Sequence, residues 1–149
     1  AMPTVRGWNL PDELFYDVDN NLWYKDNGDG TFTVGMTMIA TGMAGQLVAF
    51  TAKKPGKTIA EGKSCATVES GKWVGPAKLA FEAEIIEVNE DLNSNPKLAN
   101  ADTYGAGWMV KVKPADFAAA KATLTPGTAV AAPYEAKMAA DAFAGCAAA

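Results

Sequence analysis

The sequence predicts a mainly β fold, a β-rich α+β chain with helices at its periphery, on three observations. Residues 108–113 read Trp-Met-Val-Lys-Val-Lys, which puts Trp108, Val110 and Val112 on one strand face and Met109, Lys111 and Lys113 on the solvated one. Asn27-Gly28-Asp29-Gly30 is a strong turn, and in residues 31–36 after it Phe32, Val34 and Met36 alternate, as in a half-buried hairpin. Cys65-Ala66-Thr67-Val68-Glu69, the break at Ser70-Gly71 and the run from Trp73 to Leu79 read as a second hairpin, whose tip presents Lys72.

Ahead of the first hairpin, Asn9, Leu10, Pro11, Asp12 and Glu13 make a helix-start pattern. It predicts a short helix within residues 9–24 that docks Leu14, Phe15, Val18 and Leu22 on a sheet. Trp23 and Tyr24 begin a strand. Residues 37–45 predict a brief helix capped by Thr37, carrying Met38, Ile39 and Met43 toward the core; methionines at this spacing read as core filling rather than soft-metal ligands. Residues 46–50 are apolar enough for a strand, and residues 45–50 and 83–88 echo one another weakly, as two related halves of one fold would. Asn89 caps a helix with Glu90 and Asp91 in its first turn, where the helix dipole favours acids, and Pro96 divides it. Residues 102–107 form a loop. Residues 114–121 and 133–144 are alanine-rich, each opens with proline, and each predicts a terminal helix; the second sets Tyr134, Met138 and Phe143 in an apolar stripe, and the alanine tail beyond Gly145 frays.

The chain of 149 residues is long enough for one core and short for two, so residues 1–149 are expected to form a single domain. Its net charge of −4 repels a phosphate backbone, and Lys53, Lys54 and Lys57, in a Pro55-Gly56 turn, read as a solvated loop; a nucleic-acid partner is not expected. No apolar run approaches the ~20 residues of a spanning helix. The start of the sequence shows no basic region followed by an apolar stretch, so no membrane association and a cytoplasmic location are expected.

Cys65 and Cys146 have neither CxxC spacing nor histidine neighbours, which speaks against zinc and against a structural disulfide. Cys65 reads as a core residue, and Cys146, in a Gly/Ala-rich tail, as an incidental thiol or a reactive one. Enzyme constellations are missing. There is no GxGxxG or phosphate loop, the chain has no histidine for a triad, and Asp17, Asp19, Glu82 and Glu84 show no acid/base spacing. Lys72 as a Schiff-base nucleophile fits poorly, since such lysines are desolvated rather than displayed on a turn.

Read back from Lys72, the spacing Gly56, Ile59, Gly62, Cys65, Glu69, Lys72 resembles the signature of lipoyl and biotinyl carrier domains, in which a turn between two strands hands a lysine to a modifying enzyme. Biotin carriers flank that lysine with methionines; Gly71 and Trp73 stand here, which turns the resemblance toward lipoyl. With residues 84–92, 95–100 and 104–113, the chain from about residue 23 onward is similar to the glycine cleavage H protein family. Residues 4–7 (Thr-Val-Arg-Gly) and 65–76 further resemble the lipoate-binding proteins of sulfur-oxidising bacteria and archaea, which partner a heterodisulfide-reductase-like complex. The departures point the same way. Asn21-Leu22-Trp23 stands where H proteins carry His-Glu-Trp, and Gly71 and Trp73 where they carry Val and Ala.

The resemblance implies a barrel-sandwich hybrid of the lipoyl-domain type with peripheral helices, and lipoate joined covalently to Lys72. It implies Glu69 as part of what a modifying ligase reads, with Gly71 and Trp73 flanking the attachment site in the turn. For Trp73 a half-covered sheet residue and a platform for the arm both fit, and for Glu69 a solvated strand residue fits equally. The implied function is that of a carrier, not an enzyme, which swings sulfur intermediates to a heterodisulfide-reductase-like complex in oxidation of reduced sulfur compounds. Its partners would be that complex and a lipoate-protein ligase or lipoyl assembly enzymes, and a carrier visiting several sites is expected to be monomeric. The alternatives are a glycine cleavage H protein carrying an aminomethyl group and, from another class, an unmodified acidic adaptor.

Overall fold

The computed structural model describes residues 4–140. Five short strands lead to the first helix: β1 (Thr4–Val5), β2 (Trp8–Asn9), β3 (Phe15–Asp17), β4 (Leu22–Asp26) and β5 (Phe32–Met36), then α1 (Met38–Ala44). The middle of the chain is β6 (Leu47–Ala52), β7 (Thr58–Ile59), β8 (Ser64–Ser70), β9 (Val74–Lys78) and β10 (Ala83–Val88). Two helical turns, α2 (Glu90–Ser94) and α3 (Leu98–Ala101), precede β11 (Val110–Lys113), α4 (Phe117–Ala122), β12 (Thr125–Pro126), a 3-10 turn (Gly127–Ala129) and α5 (Ala131–Ala140). The mainly β expectation holds.

Apart from the small β1–β2 ribbon, the strands form two sheets. One has the order β12-β3-β4-β5-β11-β10-β7 and the other the order β6-β8-β9, with every pairing antiparallel. Their inner faces share one core, to which the larger sheet gives Tyr24, Phe32, Val34, Ile85 and Val112 and the smaller Phe50, Val68 and Ala77. Each such side chain taken from water contributes about 1.5–3 kcal/mol of transfer free energy. Phe117 of α4 stacks on Phe32 at 4.4 Å, closing one end of this core. A second cluster on the outer side of the larger sheet joins Trp8, Leu10, Tyr16, Trp23, Ile39 and Tyr134, so α5 and the N-terminal strands lie against the same sheet.

That second cluster explains most departures from the sequence reading. The helix expected within residues 9–24 is instead two paired strands, with Phe15 opposite Tyr24 and Asp17 opposite Leu22. The Asp17 carboxylate accepts from the Asn20 amide (3.3 Å) and side chain (2.7 Å), and Asn21 takes a left-handed φ of 57°, so this segment closes as a hairpin and cannot wind on. The β4–β5 hairpin forms as expected, but β5 is buried on both faces rather than half-buried. Its outer face is covered at Gly35, where an added methyl would stand 2.4 Å from the Trp23 ring.

Thr37 caps α1 through its side chain, and Ile39 is buried as expected. Met43 is not in the core; it stands 45 % exposed. Asn89 caps α2 and Pro96 separates it from α3. Met109 is fully buried although alternation assigns it to solvent, because the strand begins only at Val110 and Met109 still belongs to the main core. The penultimate helix starts at Phe117 under an Asp116 cap, not at Pro114, and α5 starts two residues before Pro133. Tyr134 and Met138 are buried as its stripe predicts. Phe143, Cys146 and the alanine tail lie outside the described residues.

Candidate functional site

Lys72 stands at the tip of the β8–β9 hairpin. The hairpin is closed by the Ser70 amide donating to the Trp73 carbonyl at 2.8 Å, and the buried Ser70 hydroxyl oxygen accepts from the Lys72 amide at 3.3 Å. The turn is therefore set by a serine side chain. Gly71 is not sterically required: its φ is not in the left-handed region, and a methyl on it would meet nothing within 4 Å. Farther back, Gly56 (φ 91°) and Gly62 (φ 76°) do occupy left-handed turns, and Ile59 and Cys65 are core residues. The spacing that leads to Lys72 is thus the spacing of two glycine turns and the strands between them.

The Lys72 residue is exposed, and its stem runs over the end of α1: a methyl on Gly45, the C-cap residue at φ 85°, would lie 3.3 Å from Cε and 4.0 Å from Nζ. Gly45 is held in turn by Asn100. The Asn100 Nδ2 donates to the Gly45 carbonyl (3.1 Å) while its Oδ1 accepts from the Leu47 amide (2.9 Å), bracing the α1–β6 connection from α3. Neither Gly45 nor Asn100 was singled out in the sequence. Asn100 lies 28 positions beyond Lys72 and shows no local pattern that would reveal this bracing role.

Trp73, 40 % exposed, folds back along the hairpin over Gly75, where a methyl would come within 2.1 Å of its ring. It forms one wall of a cleft of about 200 Å³ between the hairpin and α1, with Asn21, Met36, Met43, Ala44 and Val68 among the other lining residues. Glu69 is exposed on the outer face of the three-stranded sheet, between Ala49 of β6 and Val74 of β9. Of the four residues predicted for the site, Lys72, Gly71 and Trp73 form the tip, and Glu69 stands on the strand leading into it.

Cys65 of β8 is fully buried in the main core, as expected, and burial pushes its thiol up to about 12. Iodoacetamide at neutral pH is therefore expected to spare Cys65 in the folded protein and label it only after unfolding, as peptide mapping would show. The linkage has a definite sign. Between the ordinary thiol value of 9.0 and about 12 the unfolded chain loses a proton that the folded chain keeps, so this contribution to stability is complete below pH 9 and is lost as the pH rises. Tyr16, Tyr24, Tyr104 and Tyr134 are raised by burial as well and act in the same direction. The urea midpoint is expected to fall steadily above pH 9, and less so in Cys65→Val.

Among the described residues no group of three or more His, Cys, Asp or Glu is placed to hold a metal ion, and no helix is long and apolar enough to cross a membrane.

Comparison with known proteins bears on this site. The profile of the Glycine cleavage H-protein family matches residues 14–136. The chain belongs to that family. Among H proteins it is 51 % identical to "Glycine cleavage system H protein 5" of Aquifex aeolicus over 127 residues, covering 83 % of this chain and 85 % of that one. It is 46 % identical to "Glycine cleavage system H protein 2" of the same organism over 112 residues, 75 % of this chain and 70 % of that one. The crystal structure of a glycine cleavage system H protein from Mycobacterium marinum superposes with a TM-score of 0.72 at 28 % identity, covering 87 % of this chain and 98 % of the other. The fold is accordingly the lipoyl-domain barrel-sandwich of that family. H proteins are lipoyl carriers rather than catalysts, they hold lipoate covalently on a lysine, and they partner with lipoyl assembly enzymes and glycine cleavage enzymes.

Proposed function

We propose that this chain is a single-domain, monomeric lipoyl carrier whose attachment point is Lys72. The observation that carries the reading is an exposed lysine held at the tip of a rigid hairpin in a family that carries lipoate on a lysine. The residues present fit the group: an accessible Nζ beside an apolar cleft walled by Met36, Met43, Ala44 and Trp73. In loading, a bond forms between the lipoyl carbonyl carbon and Nζ, the activating group leaves, and the ammonium sheds two protons. Lys72 thereby loses its charge. When bound, lipoate supplies a disulfide that is opened and reclosed as cargo is taken and released. The hairpin fixes the direction from which Nζ projects, and Ser70, Gly45 and Asn100 hold the bed on which the lysine stem lies. Glu69, exposed three positions before Lys72, is available to a lipoate-protein ligase.

The names of the relatives support service to glycine cleavage enzymes. A second reading, delivery of sulfur intermediates to a heterodisulfide-reductase-like complex in oxidation of reduced sulfur compounds, is favoured by the departures from the H-protein pattern, of which Asn21, Leu22 and Trp73 line the cleft.

Intact mass after incubation with a lipoate-protein ligase tests the common core: one lipoyl adduct, mapped to Lys72, is expected. No adduct would return the chain to the unmodified adaptor reading, and an adduct on another residue would move the attachment point away from Lys72. Reconstitution of the loaded protein with glycine decarboxylase and, separately, with a heterodisulfide-reductase-like complex then decides between the two cargoes. Turnover of glycine would sink the sulfur reading.

A further inference from the structure

Gly45 and Gln46 join α1 to Leu47, the first residue of β6, and both ends of this short connection bear on Lys72. At one end the lysine stem runs over Gly45, where a methyl would stand 3.3 Å from Cε. A side chain at φ 85° is also strained, so glycine serves the bend and the stem alike. At the other end Leu47 pairs with Ser70 across the β6–β8 ladder. Ser70 in turn closes the hairpin on the Trp73 carbonyl at 2.8 Å, and its hydroxyl oxygen accepts from the Lys72 amide at 3.3 Å. One end of the connection is thus the bed of the lysine stem and the other is the base of its turn.

A single side chain holds both ends. Asn100 Nδ2 donates to the Gly45 carbonyl at 3.1 Å, and Oδ1 accepts from the Leu47 amide at 2.9 Å. The partners fix which way the side-chain amide faces, since a carbonyl only accepts and a backbone N–H only donates. Aspartate, of the same length, only accepts; leucine does neither, and glutamine is one carbon longer. The register shifts between Leu47 and Ala49, so the ladder is irregular where the connection enters β6. Asn100 belongs to α3, whose Ala99 is buried in the main core with Leu98 packed against it. The hairpin tip is therefore tied to the core twice, once through the smaller sheet and once through Asn100.

We infer that Asn100 is a positioning residue for the loading of Lys72, setting the direction in which Nζ is presented to the enzyme that acylates it. This rests on Lys72 being the attachment point. A lysine has a flexible four-carbon stem, and only conformers that aim Nζ at the activated lipoyl carbonyl lead to the amide. With Gly45 and Leu47 fixed, one side of the stem stays covered and the turn keeps one orientation, so a larger share of encounters is productive. Asn100 takes no part in the bond that forms between Nζ and the lipoyl carbonyl carbon; it acts through Gly45 and Leu47. Its loss therefore falls on the turnover number of the loading enzyme. The affinity of that enzyme for the carrier, which the exposed surface supplies, is left as it was.

The test is lipoylation by a lipoate-protein ligase supplied with lipoate and ATP. Values of kcat and KM for the carrier are measured on the wild-type protein, Asn100→Ala and Asn100→Asp, each well below its melting temperature. Asn100→Ala removes both hydrogen bonds and is expected to lower kcat about tenfold, with KM unchanged to within about twofold. Asn100→Asp keeps the size and the Leu47 bond but sets a second acceptor against the Gly45 carbonyl, and kcat is expected to fall about threefold. Acylation of Lys72 by an N-hydroxysuccinimide ester, followed by peptide mapping, needs only an exposed amine and should run at the wild-type rate in both variants. A purely structural role would lower the melting temperature and leave kcat of the folded variants at the wild-type value, and that result overturns the proposal. So does a loss that lies in KM, or one matched by slower reaction with the ester, which would mean that Lys72 had been withdrawn rather than misdirected. Should Asn100→Ala fail to fold, Asn100→Asp decides by the same criteria. A loaded wild-type protein beside variants loaded equally fast sinks the positioning role alone. A wild-type protein that takes no lipoyl group at Lys72 sinks the attachment reading, and this role with it.

Discussion

Lys72→Arg is expected to fold as the parent does and to take up no lipoyl group at all, an effect that runs from complete loading to none. The guanidinium keeps the positive charge and a similar length, but with a pKa above about 12 it offers no free nucleophilic nitrogen at neutral pH. Position 72 is exposed, its side chain makes no hydrogen bond or ion pair among the described residues, and the turn is closed by Ser70 and the Trp73 carbonyl, so the change should alter stability by less than about 0.5 kcal/mol. Intact mass and a thermal melt run on the same sample separate the two effects. A variant that still acquires the adduct places the attachment elsewhere. One that unfolds makes Lys72 structural.

Trp23→Ala should instead cost stability and leave the chemistry alone. Trp23 is 1 % exposed, its Nε1 donates to the Thr103 carbonyl at 3.0 Å, and its ring covers Gly35 and tilts against Tyr104 at 6.1 Å. Removing the indole leaves a cavity in the outer cluster and orphans a carbonyl, for a loss of about 3–5 kcal/mol. That is a large share of the roughly 5–15 kcal/mol by which a domain is stable, and it should lower the melting temperature by roughly 10 °C. Urea unfolding followed by circular dichroism measures it. Below the melt the hairpin is intact, so loading of Lys72 should proceed at the parental rate. A loss under about 1 kcal/mol would mean that the outer cluster does not hold α5 and the N-terminal strands to the sheet.

The contrast between these two positions follows how much of the molecule was legible in its sequence. Hairpins with strong turn residues were readable, at residues 27–30 and 70–73, because turn chemistry is local and survives whatever packs above it. Caps were readable too, at Thr37 and Asn89, since each satisfies backbone groups within three residues. Residues 9–24 were misread. A proline followed by acids resembles a helix start, but strand pairing from Phe15 to Tyr24 and the Asp17–Asn20 bonds fixed a hairpin there. Met43 and Met109 were each assigned to the wrong side, because burial at an element's edge depends on what lies across from it. The place of Lys72 at a hairpin tip was legible from the break at Ser70-Gly71, whereas the Asn100 brace under Gly45 arises only when α3 meets α1.

By itself the sequence determined the local vocabulary of this protein: which runs extend, where they turn, which ends are capped, and that one lysine stands on a tight bend in a chain of the H-protein pattern. Those properties depend on backbone dihedrals and hydrogen bonds spanning a few residues. The tertiary structure alone decided that Met43 and Trp73 would wall one cleft, that the Lys72 stem would run over Gly45 at the end of α1, and that Asn100 would brace Gly45 and Leu47. Such contacts join α1, β6 and the β8–β9 hairpin, elements whose separation along the chain is unrelated to their distance once two sheets share a core.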